Sequence, residues 1–205
     1  VNAVQKSRLF RIILENTVGF SAKRTLPKYA PESLTTWFSK RSNRTITASS
    51  NPRVALFADT YLNYYDPSLG RSAVALLESC GYSVQLAHVG CCQRTRISHG
   101  FLRQAKKDGF RTLCKLGPFI DQGIPIVVCE PSCASALTDD LPDLMEDESL
   151  AKRIESNVYL IDVFIAREIE SGRLKCEFAS DSSQFLVHGH CHQKSIFGTA
   201  AMKTI

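Results

Sequence analysis

The sequence contains no apolar run near the ~18 residues that a membrane-spanning helix needs. It has no signal-peptide core and does not begin with methionine, so the chain is expected to start inside a larger polypeptide. It lacks a glycine-rich loop of dinucleotide- or phosphate-binding spacing, which argues against a flavin or nucleotide bound by this chain itself. Its basic residues come without an aromatic platform or a helix-turn-helix signature, so nucleic acid is not an expected partner. Eight cysteines in 205 residues are too few for a disulfide scaffold, and nothing points to an oxidising compartment. The expectation is a reduced cytoplasmic protein, attached at most peripherally to the inner face of a membrane.

What is present is ordinary in bulk: 44% hydrophobic and 22% charged residues, as in a globular domain. The net charge of +5 is unevenly spread. Residues 1–53 carry ten Lys/Arg against two Asp/Glu, and the rest fifteen against eighteen. A basic arm, solvated or docked on an acidic partner, is the plainest reading of the first stretch.

Residues 1–16 have helical apolar spacing (Val4, Leu9, Ile12, Ile13). Residues 31–38 open a short helix, and 40–52 read as a linker. From Arg53 the pattern alternates: strands are expected at 54–58, 83–87, 124–128 and 184–187, and helices at 67–80, 100–117, after Pro131 and at 149–169. The fold class is therefore α/β, a Rossmann-like parallel sheet with helices on both faces. A faint repeat relates 54–60 to 185–191, giving three parts. These are a basic helical arm and linker (1–52), a first cysteine-rich repeat (53–183) and the truncated start of a second (184–205).

Three cysteine-bearing segments follow expected strands: Gly90-Cys91-Cys92-Gln93-Arg94, Cys129-Glu130-Pro131-Ser132-Cys133, and His188-Gly189-His190-Cys191-His192-Gln193-Lys194. Ligands of parallel α/β sheets collect at the carboxyl ends of the strands, so the three segments are expected to converge. Thiolates are soft donors suited to iron–sulfur clusters or zinc. Cys91, Cys92, Cys133 and Cys191 make a candidate four-sulfur set, with Cys133 favoured as thiolate by a helix starting near Pro131. Cys80, Cys114 and Cys176 read as small core hydrophobes, and Cys129 as ambiguous. In an extended strand His188, His190 and His192 point to one side and Cys191 to the other, leaving the histidines to donate hydrogen bonds, shuttle protons or pack. Two other chemistries stay open: a Cys/His thiol hydrolase, and a structural zinc or interaction domain in which Cys129/Cys133 is the one loose knuckle.

These segments resemble the cysteine-rich, or CCG, domain of iron–sulfur oxidoreductases. That domain occurs in the iron–sulfur protein of glycolate oxidase and in subunits of anaerobic glycerol-3-phosphate dehydrogenase and heterodisulfide reductase. The resemblance is closest to the C-terminal part of FAD-linked oxidases of the D-lactate or D-2-hydroxyglutarate dehydrogenase type. Asp59-Thr60, Gly70-Arg71, Gly123-Ile124-Pro125 and Arg24-Thr25-Leu26-Pro27 are similar to that group as well. The resemblance implies an electron-transfer module with an iron–sulfur cluster, expected as 4Fe–4S, on Cys91, Cys92, Cys133 and Cys191. His188, His190, His192, Glu130 and Thr60 would surround it. FAD would sit on another part of the parent protein. The implied partners are an FAD-binding dehydrogenase domain, a ferredoxin-like iron–sulfur domain, and a quinone, cytochrome or other acceptor. The chain departs from the pattern in having Gln93 where Cys-Cys-Gly has glycine, Thr60 where the second repeat has Cys191, and no second Cys-Cys-Gly within its 205 residues.

Overall fold

A computed structural model describes residues 1–42, 51–174, 184 and 186–205. Two helices, α1 (Asn2–Lys6) and α2 (Arg8–Val18), replace the one helix expected at the start. The break falls at Ser7, which is extended and caps α2 by accepting from the Phe10 amide. After α3 (Leu34–Ser42) come β1 (Arg53–Phe57), α4 (Thr60–Tyr64), α5 (Pro67–Ser79), β2 (Ser83–Ala87), α6 (Arg94–Ser98) and α7 (Leu102–Asp121). Then follow β3 (Ile126–Val128), α8 (Pro131–Ser135), a π-helical turn (Ala136–Asp140), α9 (Leu141–Leu144) and α10 (Glu148–Glu155). The last elements are β4 (Val158–Leu160), α11 (Ile161–Glu170), a second π-helical turn (Gln193–Phe197) and α12 (Ala200–Thr204).

The strands form one parallel sheet in the order β2-β1-β3-β4. Alternation along each strand splits the core in two. Ala55, Phe57, Ile126, Val128, Val158 and Leu160 face one side, with Leu113 and Leu116 of α7, Leu141 of α9 and Ile154 of α10. Val54, Leu56, Val84 and Val127 face the other, with Val74 and Leu77 of α5 and Phe164 and Ile165 of α11. The sheet is thus covered on both faces, as its almost unbroken apolar strands require.

The stretch before β1 is packed on this second layer. Leu34 is fully buried in it, Thr35 N donates to Asn63 Oδ1 (3.0 Å), and Tyr29 stacks on Tyr65 at 4.9 Å. The guanidiniums of Arg41 and Arg71 both lie over the Trp37 ring, 5.5 and 5.2 Å from its centroid.

Two expectations are corrected. Residues 149–169 are not one helix: Val158–Leu160 forms an edge strand between α10 and α11. A three-residue strand is too short to display alternation, and Ile154, Ile161 and Ile165 carry helical spacing across it. Conversely, Gln184, Leu186 and Val187 are not in a strand, and the Leu186 side chain is fully exposed. The edge beside β3 is already taken by β4. Phe185 and Cys176 lie outside the described residues.

Candidate metal-thiol site

The order 2-1-3-4 reverses direction between β1 and β3, and the crevice outside such a switch point is where ligands of these sheets sit. At the carboxyl ends of β2 and β3 the chain brings together thiols from two separate segments. Gly90 starts the first loop with φ 141°, and a Cβ there would meet Thr112 Oγ1 at 2.6 Å, so only glycine lets the loop lie this close to α7. Thr112 Oγ1 then donates to Cys91 O (3.2 Å). Glu130 caps α8 from the second segment, accepting from Ser132 N at 3.1 Å, and so aims Cys133 back at the loop.

The outcome is a pair of thiols from the two segments with a third beside it. Cys92 donates to Cys133 Sγ at 2.9 Å across 41 residues of sequence, and Cys91, the adjacent residue, accepts from Gln93 N at 3.4 Å. Cys92 and Cys133 are buried, whereas Cys91 is exposed. Donation to Cys133, with burial, pushes the Cys92 thiol up to about 12, and donation to Cys92, with burial, raises Cys91 as well. Cys129 is pushed up to about 12 by burial and by the nearby Asp59 carboxyl. Asp59, itself 2% exposed, caps α4 through Oδ1, while its Oδ2 has no partner among the described residues. Burial raises its carboxyl above the usual range.

The third segment docks on the same helix. His190 Nε2 lies 3.5 Å from Ser132 Oγ, His192 Nδ1 2.7 Å from Ser135 Oγ, and Gln193 Nε2 donates to Asp162 at the start of α11. The chain turns helical at Cys191 rather than staying extended, with His192 N donating to His190 Nδ1 (3.2 Å). The alternation expected for His188, His190 and His192 is therefore corrected: His190 and His192 both reach α8, their rings 5.4 Å apart, and His188 is exposed. Cys191 is exposed on this docked segment, and Thr60 is exposed at the start of α4. Cys114 is an exposed residue of α7 rather than part of the core, and Cys80 is buried beside α5.

In donor chemistry the site suits a thiolate-held iron–sulfur centre: three soft donors converge, and a fourth lies on a segment tied to the helix of the third. Among the described residues no three His, Cys, Asp or Glu side chains are set to hold a single metal ion. Loading requires the thiols to lose their protons.

Sequence reasoning assigned no site role to three residues around this site. Gln93 is the one described non-glycine with positive φ (65°), a buried left-handed residue between the cysteines and α6. Arg94 bonds Ser132 O, Ser135 Oγ and Asp140. Asp59 follows directly on β1, which was the available signal for it; Arg94, next to Cys-Cys, was marked only by its neighbours.

The chain is 26% identical over 175 residues to a subunit of the anaerobic glycerol-3-phosphate dehydrogenase of Escherichia coli strain K12, and equally to the same protein of Escherichia coli O157:H7. The match covers 84% of this chain but 43% of each relative, so the chain spans less than half the length of the curated relatives it matches. No protein-family profile matches the chain, and no solved structure does. No described helix is long and apolar enough to cross a membrane.

Proposed function

We propose that this chain is the electron-transfer part of a flavin-linked dehydrogenase, and that Cys91, Cys92, Cys133 and Cys191 hold an iron–sulfur centre at the carboxyl end of its sheet. The observation that carries this reading is the Cys92–Cys133 thiol contact, in which two distant segments bring soft donors together with Cys91 next to them in the same loop. Similarity to part of a dehydrogenase supports the same role.

When bound, such a centre accepts and passes on single electrons. The residues of this chain would do the rest. The Gly90 turn and Thr112 fix the loop, the Glu130 cap fixes Cys133, and burial of Cys92 and Cys133 keeps water from the sulfurs, one of the ways potential is tuned. His190 and His192 face serines of α8. Residues 53–183 would be the first of two cysteine-rich repeats and 184–205 the start of the second. FAD and a ferredoxin-like centre would lie elsewhere in the parent protein, with a quinone, cytochrome or other carrier downstream.

The substrate follows less directly. The motif resemblance favours a 2-hydroxy acid such as D-lactate, glycolate or D-2-hydroxyglutarate. The relatives' name instead makes glycerol 3-phosphate the control substrate for dye reduction by the parent protein.

The test is anaerobic purification with iron and sulfide assay and visible spectra before and after dithionite. It would be applied to this chain, to a chain extended beyond Ile205, and to Cys92→Ser and Cys133→Ser. Brown protein that bleaches on reduction, with colour lost in both variants, is the expected outcome. Colourless wild-type protein at both lengths would overturn it.

A further inference from the structure

Arg94 is the first residue of α6, directly after the left-handed Gln93, and its side chain is 17% exposed. Its guanidinium touches three places on the α8 side of the site. Nε donates to Ser132 O (3.3 Å), Nη1 to Asp140 Oδ1 (3.1 Å), and Nη2 to Ser135 Oγ (2.7 Å) and to the other oxygen of Asp140. Asp140 ends the π-helical turn after α8, a geometry that proteins use mostly as a single local adjustment near functional sites. Ser135 is fully buried, and its hydroxyl also meets His192 Nδ1 at 2.7 Å. One side chain thus joins the Cys91–Cys92 loop, the helix that carries Cys133, and, through Ser135, the segment that carries Cys191.

We propose that Arg94 is a positioning residue of the thiol site, a clasp that holds the three cysteine-bearing segments in register. The proposal rests on the reading of these thiols as the functional site, but its mechanical part stands on the contacts alone. The loop carrying Cys91 and Cys92 is short, begins at a glycine with positive φ and continues through a residue in a left-handed conformation. Such a loop needs an external tie to hold one geometry. Arginine suits the role because its planar fork presents several donors in fixed directions, so it satisfies a carboxylate and two further acceptors together. A lysine ammonium offers one point of charge without that fork. Among the described residues the guanidinium bonds only oxygens, and it is the Arg94 backbone amide that meets the Cys92 thiol, so the side chain acts through the segments.

The clasp is tested on the iron-free, reduced chain by timing alkylation of each cysteine with limiting iodoacetamide and mapping the products by peptide mass spectrometry. Wild type, Arg94→Gln, Arg94→Lys, Asp140→Asn and the Arg94→Gln/Asp140→Asn double variant are compared. Cys80, buried in the opposite layer beside α5, reports the state of the rest of the fold. With Arg94→Gln, Cys92 and Cys133 should react roughly tenfold faster, the scale of a lost charged hydrogen bond, while Cys80 keeps its rate. Asp140→Asn should act in the same direction, the double variant should add little to Arg94→Gln, and Arg94→Lys should restore part of the protection. Unchanged rates at Cys92 and Cys133 would overturn the clasp, as would an equal acceleration at Cys80, which would make Arg94 a general stabiliser. Iron and sulfide uptake on reconstitution separates the two readings. A wild-type protein that takes no iron either as this chain or when extended beyond Ile205 sinks the iron–sulfur assignment and leaves the alkylation result to judge Arg94 by itself.

Discussion

The two ends of the sheet are each closed by an arginine on a carboxylate, yet they treat ionisable groups in opposite ways. At the amino end, in a cleft of about 660 Å³ lined by Tyr82, Pro125, Asn157 and Glu168, Arg173 donates two hydrogen bonds to Glu168 (2.8 and 2.6 Å). The Tyr82 hydroxyl adds a third. Arg173 thereby holds the buried Glu168 carboxyl below the ordinary carboxylate range, and the charge stabilises the fold. At the carboxyl end burial pushes Asp59 and Cys129 away from their charged forms, donation to Cys133 does the same to Cys92, and the backbone is forced left-handed at Gln93. One end is arranged for stability. The other keeps a set of costs that a purely structural edge would have no reason to keep, which is the pattern of a site.

The largest effect expected from this contrast lies at the amino end. Glu168→Ala should destabilise the chain by about 2 kcal/mol, since it strands the Tyr82 hydroxyl and one face of Arg173. The value is held down because Arg173 is 55% exposed and water screens it. Glu168→Gln sharpens the point through pH. Because the folded-state pKa of Glu168 is lowered, its contribution is complete above the ordinary glutamate value of ~4.3 and is lost as pH falls through the folded value. Urea melts should therefore show a constant gap between wild type and Glu168→Gln near neutrality that closes in acid. A gap independent of pH would mean that the carboxylate charge does no stabilising there.

Asp59 should behave with the opposite sign. Asparagine caps a helix as well as aspartate does, so Asp59→Asn keeps the bonds from Tyr61 N and Leu62 N while removing a buried charge. Stability at pH 7 should rise by about 1 kcal/mol. The raised folded pKa makes wild type most stable below the unfolded aspartate value of ~3.9, with that advantage lost as pH rises through the folded value. The gain from asparagine should thus grow with pH across that window and vanish in acid. A loss of stability at pH 7 would show that the carboxylate at the site is already satisfied, and the contrast between the two ends would fail.

These two residues also mark how far the sequence could be read. Strands β1, β2 and β3 were legible because short apolar runs such as Val54-Ala55-Leu56-Phe57 stand between turn residues, and burial on both faces leaves no other use for them. Val158–Leu160 was not legible, and the run ending in Leu186-Val187 was misread, for one reason: a strand is defined by a partner, and sequence does not record which run finds the free edge. The meeting of Cys92 and Cys133 was legible from their common place after strands, whereas the same reasoning set Cys191 after a strand that is not there. Arg94 and Glu168 were not, because an arginine or glutamate looks the same in sequence whether it meets water or a carboxylate or tyrosine many residues away.

The smallest effect, and the finest test of the carboxyl end, concerns Gln93. A left-handed backbone costs a residue with a Cβ about 1 kcal/mol relative to glycine, and the resembling Cys-Cys-Gly pattern has glycine at this position. Glutamine offsets that cost with its side chain: Nε2 donates to Cys91 O (3.0 Å), and Oε1 accepts from Arg96 (2.8 Å). Gln93→Gly removes the strain together with both bonds, each worth about 1 kcal/mol, so its melting curve should fall within about 1 kcal/mol of wild type. Gln93→Ala loses the same bonds and keeps the strain, so it should be the less stable of the two by about 1 kcal/mol. The pair isolates the backbone, because neither variant has a side chain able to reach Cys91 or Arg96. Equal stabilities for alanine and glycine would mean that the loop relaxes out of the left-handed conformation once the glutamine is gone. The loop would then be shaped by its side-chain bonds alone, and the carboxyl end would carry less stored cost than the amino-end comparison assigns to it.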